Sequence, residues 1–420
     1  MAEYIKRLID DEIALHMKVM GAVAIEGPKW CGKSTTGEQF AKTIVKLQRP
    51  DIFMKYKTYA YTNGTELLAG EKPLMFDEWQ KIPEIWDYVR ADIDSAPYGE
   101  KKGRFILTGS VKPIKDKNRH SGTGRIAKLV MRPMSLWESG ESTGDISLKE
   151  LFDGRNSVGG DAEIKLRDIA NIICRGGWPE SVTTKEAAVA LAKAYFVSLI
   201  NEDINEVDGI RRNPKRAAAI IRAYARNIST FVSNATLLAD IAANDVSMDA
   251  KTLSAYLLAF EKLYVIEDIP SWSPRLRSAA AIRAANKRQF VDPSIAAIAL
   301  EASPQNIMDD LKTFGFLFES LCERDLRIYV GSLGGYISHY HDKDGLEIDS
   351  IAHLNNGKWG AIEIKLGGNM IDDAAKNLLK LKEKVDTAQE PSFLMVLSGI
   401  DYAYKRPDGV LVVPIGCLKN

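Results

Sequence analysis

The sequence has few residues that could cross-link it. Of its 420 residues only four are cysteine. Cys31, Cys174, Cys322 and Cys417 lie far apart, with no C-x-x-C pair. That excludes a disulfide framework and a zinc ribbon, and it fits a reducing compartment. Neither sign of charge is in excess: 56 Lys and Arg balance 56 Asp and Glu. No global field draws the chain to nucleic acid or a membrane surface, so any such attraction must be local. No apolar run approaches the roughly 20 residues that cross a bilayer, and no membrane partner is expected. The opening stretch MAEYIKRLIDDEIALHMK is too charged for a signal peptide, so a cytoplasmic location is expected. What is present is ordinary. The chain is 45% apolar and 27% charged, the balance of a globular protein. Its length suits two to three domains.

Residues 20 to about 135 read as an α/β unit. Short apolar runs at AVAIEG, PLMFDE, RFILTGS and AKLVMRP look like strands. They alternate with helical patterns over residues 34–47 and 83–95, which predicts a parallel sheet with crossover helices. GPKWCGKS, Gly27 to Ser34, follows the first strand and opens the first helix. It matches G-x-x-x-x-G-K-[ST], whose main-chain N–H groups converge on phosphate oxygens. Gly27, Pro28, Lys29, Trp30, Cys31, Gly32, Lys33, Ser34 and Thr35 are the expected contacts to ATP. Lys33 would reach the β- and γ-phosphates and Ser34 would ligate Mg²⁺.

PLMFDE ends in Asp77 and Glu78, acids at the carboxyl end of a buried strand. Asp77 is expected to hold Mg²⁺ and Glu78 to polarise the attacking water, so hydrolysis is favoured over mere binding. Thr108 and Ser110, in FILTGS, stand where a γ-phosphate could be sensed. Arg125, in SGTGRIAKL, is a candidate for stabilising transferred-phosphate charge, in its own subunit or a neighbour's. Cys31, within the loop, is either an oxidation sensor or a small residue filling space.

These stretches, with RGGWPESV and the later GLEIDSI and AIEIK, resemble a large prokaryotic AAA+ family. Its members join a P-loop ATPase domain to a winged-helix segment and a restriction-endonuclease-like domain. The resemblance implies four regions: an ATPase domain over 1–138, a linker over 139–161, a helical and winged-helix region over 162–305, and a nuclease-like α/β domain over 306–420. It also implies ATP and Mg²⁺ as cofactors and a homo-oligomer as the working form.

Within the middle region, TLLADIAANDVSMDAKTLSAYLLAF reads as helix, turn, helix, with Leu253, Tyr256, Leu257 and Phe260 at core spacing. LYVIEDIP and KRQFVDP then look like the two strands of a wing. The stretch SPRLRSAAAIRAANKRQ of this wing carries Arg275, Arg277, Arg283, Lys287 and Arg288 and no acid. A second basic run spans Arg211 to Arg226. Either cluster could meet DNA phosphates without reading sequence. A winged fold that packs against protein would carry the same arginines in solvent.

In AIEIK, Glu363 and Lys365 share a strand face, because the side-chain period is two. EIDSIAHL begins with Glu347 and brings Asp349 toward Glu363. An Asp and a Glu on neighbouring strands can hold Mg²⁺ through oxygen, and a lysine beside them can orient water. This is the D…E-x-K arrangement of restriction-type nucleases, and the family pattern adds Glu319 as a further acid. A cleaving domain and a domain that only binds are both compatible with it. His339 and His341 form an H-x-H on one strand face with no third ligand in view, which favours packing over a metal site.

Overall fold

The computed structural model describes residues 4–111, 121–155, 157–243, 246–273, 285–385 and 390–420. Arg275, Arg277 and Arg283 lie outside the described residues. The chain forms two compact units. The first comprises Met1–Pro133 with Asp203–Ile210 and Lys262–Tyr264, and the second holds the remainder. Among the described residues no helix is long and apolar enough to cross a membrane.

The first unit is built on an all-parallel sheet of β1 (Ala22–Glu26), β2 (Thr43–Lys46), β3 (Leu74–Asp77), β4 (Phe105–Gly109) and β5 (Ile126–Val130), ordered β2-β3-β4-β1-β5. Every residue of β1, β3 and β4 is buried, which is why these strands read as unbroken apolar runs. Helices α1 (Ile9–Val19), α2 (Lys33–Glu38), α3 (Pro50–Thr62) and α4 (Ile85–Ser95) surround the sheet. On α4, Ile85, Trp86, Val89 and Ile93 recur at helical spacing and join the core beside Phe76, Phe105 and Leu107.

The helix expected over 34–47 is shorter. It ends at Glu38, and Thr43–Lys46 is the edge strand β2. Thr43, Ile44 and Val45 are β-branched, lose rotamer freedom in a helix, and fit a pleated edge better. Because the sheet is parallel, the carboxyl ends of β1, β3 and β4 lie along one edge. That is where a ligand crevice forms in such sheets.

The second unit carries a mixed sheet, and its elements follow in chain order. β6 (Ile146–Ser147) runs into α5 (Leu148–Phe152), followed by α6 (Leu166–Arg175), α7 (Ala188–Ser198), α8 (Pro214–Arg226), α9 (Asn234–Ala242), α10 (Ala250–Lys262), α11 (Pro293–Ala299) and α12 (Leu311–Ser332). The mixed sheet contains β7 (Gly335–His341), β8 (Glu347–Leu354), β9 (Trp359–Lys365), β10 (Phe393–Ser398), β11 (Tyr404–Lys405) and β12 (Leu411–Pro414), ordered β11-β12-β10-β9-β8-β7. Helix α13 (Ile371–Lys384) packs Ile371, Ala374, Ala375, Leu378 and Leu381 into a core with Ile351, Ala361, Val396 and Val412.

Between α10 and α11 the chain forms an antiparallel ribbon through the bridges Ile266–Phe290 and Ile269–Lys287. A further bridge, Ser271–His339, ties this ribbon to β7.

Residues 139–161, expected as a linker, are built into this unit. β6 pairs with β13 (Leu418–Lys419) at the chain's end, and Ser142 donates to the Leu418 carbonyl at 2.7 Å. Leu148, Leu151 and Phe152 are buried, and the Phe152 ring meets Phe393 edge-on. RGGWPESV is likewise structural. The Gly177 carbonyl accepts from the Met134 amide at 2.6 Å, and a Cβ there would lie 2.1 Å from the Met134 carbonyl oxygen. Trp178 Nε1 donates to Ser294 Oγ at 3.0 Å, and buried Arg324 binds Asp292 and Asp325 at 3.1 and 2.8 Å.

Candidate functional site

At the carboxyl edge of the parallel sheet, Gly27 leaves β1 where no side chain fits. A Cβ would stand 2.1 Å from the Met131 carbonyl oxygen. Gly32 caps α2 with φ 102°, a left-handed conformation natural to glycine. Lys33 is 5% exposed, and its Nζ donates to the Pro28 carbonyl at 2.6 Å. The ammonium is therefore turned into its own loop. Ser34 Oγ and Thr108 Oγ1 each donate to Asp77 Oδ1 at 2.6 Å. Two strand ends and the start of α2 thus converge through one carboxylate oxygen.

The Glu78 backbone is left-handed, with φ 58°, which a non-glycine residue adopts at a cost of about 1–3 kcal/mol. Glu78 Oε2 accepts from Ser110 Oγ at 3.0 Å and from the Gln80 side-chain amide. The pieces fit a nucleotide triphosphate with Mg²⁺: a loop that excludes side chains, a buried ammonium, and a hydroxyl beside an acid. Of the other loop residues, Cys31 is buried with its thiol toward the Met131 carbonyl, Thr35 is exposed, and Trp30 is 47% exposed with φ 67°.

The second constellation lies in the mixed sheet. β8 and β9 run antiparallel with Ser350 opposite Ile362, which sets Asp349 beside Glu363. Lys365 Nζ bonds Asp349 Oδ2 at 2.9 Å and Glu363 Oε2 at 2.6 Å. From α12, Glu319 and Glu323 approach one turn apart.

Lys287 completes the cluster. Its Nζ donates to Glu319 Oε1 and to the Asp349 carbonyl, both at 2.7 Å. It also stands 3.5 Å from Glu323 Oε1 and 4.0 Å from Asp349 Oδ1. Burial lifts the Glu319 carboxyl to about 8, with Lys287 opposing and Asp349 adding to the rise. Burial and then Asp349 lift Glu363 to about 8 as well. Burial pushes Asp349 upward too, but Lys365 and Lys287 outweigh it and hold Asp349 down to about 2. Burial lowers Lys287, and the facing acids of Glu319, Glu323 and Asp349 more than reverse it, so the ammonium stays charged.

The sequence assigned Asp349 and Glu363 to Mg²⁺; in the structure both carboxylates are paired with Lys365. Mg²⁺ demands near-octahedral oxygen at about 2.0–2.1 Å. Here the carboxylates are already shared between two ammonium groups. Among the described residues no group of three or more His, Cys, Asp or Glu can hold a metal ion. The residues as arranged do not fit a divalent ion.

Residues 20–139 match a family model described as an AAA domain. This segment is therefore similar to P-loop ATPase domains of the AAA type, in keeping with its all-parallel sheet. Residues 166–306 and 314–418 match two domains of unknown function (DUF8612 and DUF4143). No curated protein matches the chain. Among solved structures the chain is similar to a Walker-type ATPase of Pyrococcus abyssi, at 16% identity over 70% of this chain and 96% of that one, with a TM-score of 0.42. It is also similar to a signal-transduction ATPase with a tetratricopeptide repeat sensor from Pyrococcus horikoshii, at 12% identity over 78% of this chain and 48% of that one, with a TM-score of 0.22. A DNA replication initiation factor follows, at 15% identity over 62% and 89%, with a TM-score of 0.21.

In the ATPase domain Arg125 stands away from the loop. It immediately precedes β5, and its carbonyl accepts from the amides of Gly21 and Ala22 at the start of β1. The P-loop leaves the other end of β1, about 13 Å along the strand at roughly 3.3 Å per residue. The guanidinium is paired with Asp94 at 2.8 Å. Arg125 therefore does not reach the loop of its own subunit. Lys29 is also engaged, with Asp203 at 2.6 Å and Glu206 at 2.9 Å.

Arg7 was not foreseen. It braces the loop from the N-terminal segment, donating to the carbonyls of Cys31 at 2.9 Å and Arg132 at 2.8 Å. Tyr4 Oη lies 3.0 Å from Thr36 Oγ1 on α2. Nothing in the spacing of the sequence marks either residue.

The expected DNA-binding wing is corrected at the two cations that are described. Lys287 has no exposed surface. Arg288 bonds Asp268 at 3.1 Å and Asn234 at 2.7 Å and lies over the Tyr224 ring. His339 is buried, with Nε2 3.0 Å from the Ala285 carbonyl, and both His339 and His341 lie against Phe231.

Proposed function

We propose that the protein is a Mg²⁺-dependent ATPase whose nucleotide state governs what the second unit binds, without strand cleavage. The carrying observation is the convergence of Ser34, Asp77 and Thr108 on one oxygen beside a buried Lys33. Lys33 would leave the Pro28 carbonyl for the β- and γ-phosphates. Ser34 and Asp77 would hold the ion, which would supply charge neutralisation on the transferred phosphoryl group. Glu78 would turn from Ser110 and Gln80 to accept a proton from water, and Thr108 would sense the γ-phosphate. In this reading Arg125 can act only on a neighbour's nucleotide, as the homo-oligomer would require.

The test is Glu78→Gln, which keeps the side chain's size and removes the base. ATP binding by calorimetry is expected to persist while phosphate release falls by roughly 10²-fold or more. Wild-type protein that takes up no ATP would end the reading.

The second unit supports a nucleic-acid partner through its helical part. In this reading α9, α10 and the ribbon would correspond to a winged helix, and helix α12 with the mixed sheet to a restriction-endonuclease-like domain. The cations favoured for phosphate are now on and before α8. Arg211, Lys215, Arg216, Arg222 and Arg226 are exposed, and Arg222 also meets Glu301 at 2.9 Å. Neutralising Arg211, Lys215 and Arg226 together is expected to weaken DNA retention and flatten its dependence on salt, each lost phosphate contact lowering the slope by about 0.9 on duplex DNA. Equal shifts for variant and wild type across a salt series would remove DNA from this face.

A further inference from the structure

We propose that Lys287 is the resident cation of the acidic cluster, so that the mixed-sheet domain works without a divalent metal. The inference concerns a site separate from the nucleotide loop and does not rest on its assignment. The ligand set is one a hard cation uses: carboxylate oxygens from Glu319 and Glu323 and a main-chain carbonyl from Asp349. An ammonium has three N–H groups and no acceptor. Here two donate at 2.7 Å, and the nearest Glu323 oxygen lies at 3.5 Å.

The delivery is rigid. The Lys287 amide and carbonyl are both bonded to Ile269 at 2.9 Å, within the ribbon. That ribbon is bonded to β7 by Trp272 to the His339 carbonyl at 2.6 Å and His339 to the Pro270 carbonyl at 2.9 Å. A lysine held this way cannot reach solvent as exposed lysines do, and a charge with no exposed surface persists only when paired. Lys365, between Asp349 and Glu363, supplies a second internal cation. A divalent ion would have to expel Lys287 from this set of bonds.

The experiment titrates Mn²⁺ into the nucleotide-free full chain, with uptake followed by the loss of the free-ion paramagnetic resonance signal. Wild type is expected to take up no Mn²⁺ that depends on Asp349, giving the same curve as Asp349→Asn. Lys287→Gln, which keeps a polar side chain one atom shorter and removes the charge, is expected to take up one ion per chain, and Lys287→Gln with Asp349→Asn to take up none. Uptake by wild type that Asp349→Asn abolishes overturns the proposal. A folded Lys287→Gln without uptake overturns it as well. If Lys287→Gln does not fold, the wild-type and Asp349→Asn curves decide alone: coincidence supports the resident ammonium and divergence refutes it. ATP binding measured on the same samples separates this result from the nucleotide reading.

Discussion

Replacing Lys33 by alanine is expected to lower ATP turnover by roughly 10²–10³-fold, the usual cost of removing one preorganised charge donor. The ammonium is already desolvated, 5% exposed, and bonded to a single carbonyl of its own loop at 2.6 Å. Exchange of that neutral acceptor for anionic phosphate oxygens gains a charge-assisted bond at little further desolvation. The gain grows as charge moves onto the β–γ bridge, so the loss should fall on kcat more than on binding. The fold should survive. Lys33 opens a helix of only six residues, and alanine is the stronger helix former. Steady-state phosphate release, with far-ultraviolet circular dichroism as the control for folding, checks it. A folded variant with unchanged turnover would move the nucleotide elsewhere.

How far the sequence disclosed this molecule depended on whether the deciding contact was local. The P-loop, Asp77, Glu78 and Thr108 were legible because each sits at the end of an unbroken apolar strand, and parallel pairing gathers such ends on one edge. Asp349, Glu363 and Lys365 were legible through the two-residue period of strands, and they do meet. Helix α2 was overextended because residues 34–47 keep an apolar spacing that a helix and a short turn into an edge strand share. The supposed linker was polar and glycine-rich, yet its partner strand is the chain's last segment, at Leu418–Lys419. Arg125 looked well placed on its glycine-rich loop, and only the sheet's polarity reveals that the loop and β5 meet at the wrong end. Glu323 had a faint signal, an acid four residues after Glu319 and therefore on the same helix face.

Lys287 had a misleading signal. A run of cations without acids reads as solvated, because composition cannot report burial. Its partners lie 32 residues away at Glu319 and 62 away at Asp349. The same contacts make Lys287→Ala the most damaging single change expected in the second unit. It should cost about 3–5 kcal/mol, the typical loss when one member of a buried ion pair is removed. The loss comes less from missing attraction than from stranded acids: Glu319, Glu323 and Asp349 would face one another with Lys365 beside Asp349 and Arg327 acting on Glu323 as the remaining cations.

The penalty has a sign in pH. Burial already raises the Glu319 carboxyl from 4.5 to about 8. Without the ammonium, the folded form of the variant binds that proton more tightly still. A carboxyl raised on folding contributes stability that is complete below its unfolded value of 4.5 and is lost as pH rises through its folded value. The gap between wild type and Lys287→Ala should therefore widen from pH 6 to pH 9. Adding Glu319→Gln to Lys287→Ala should recover part of it, because one stranded acid is then neutral at every pH. Denaturant unfolding of the three proteins at both pH values measures this. A gap below about 1 kcal/mol at pH 9, the scale of exposed pairs, would mean that the ammonium contributes no more than a surface charge. It would then have no claim to the role of a built-in cation.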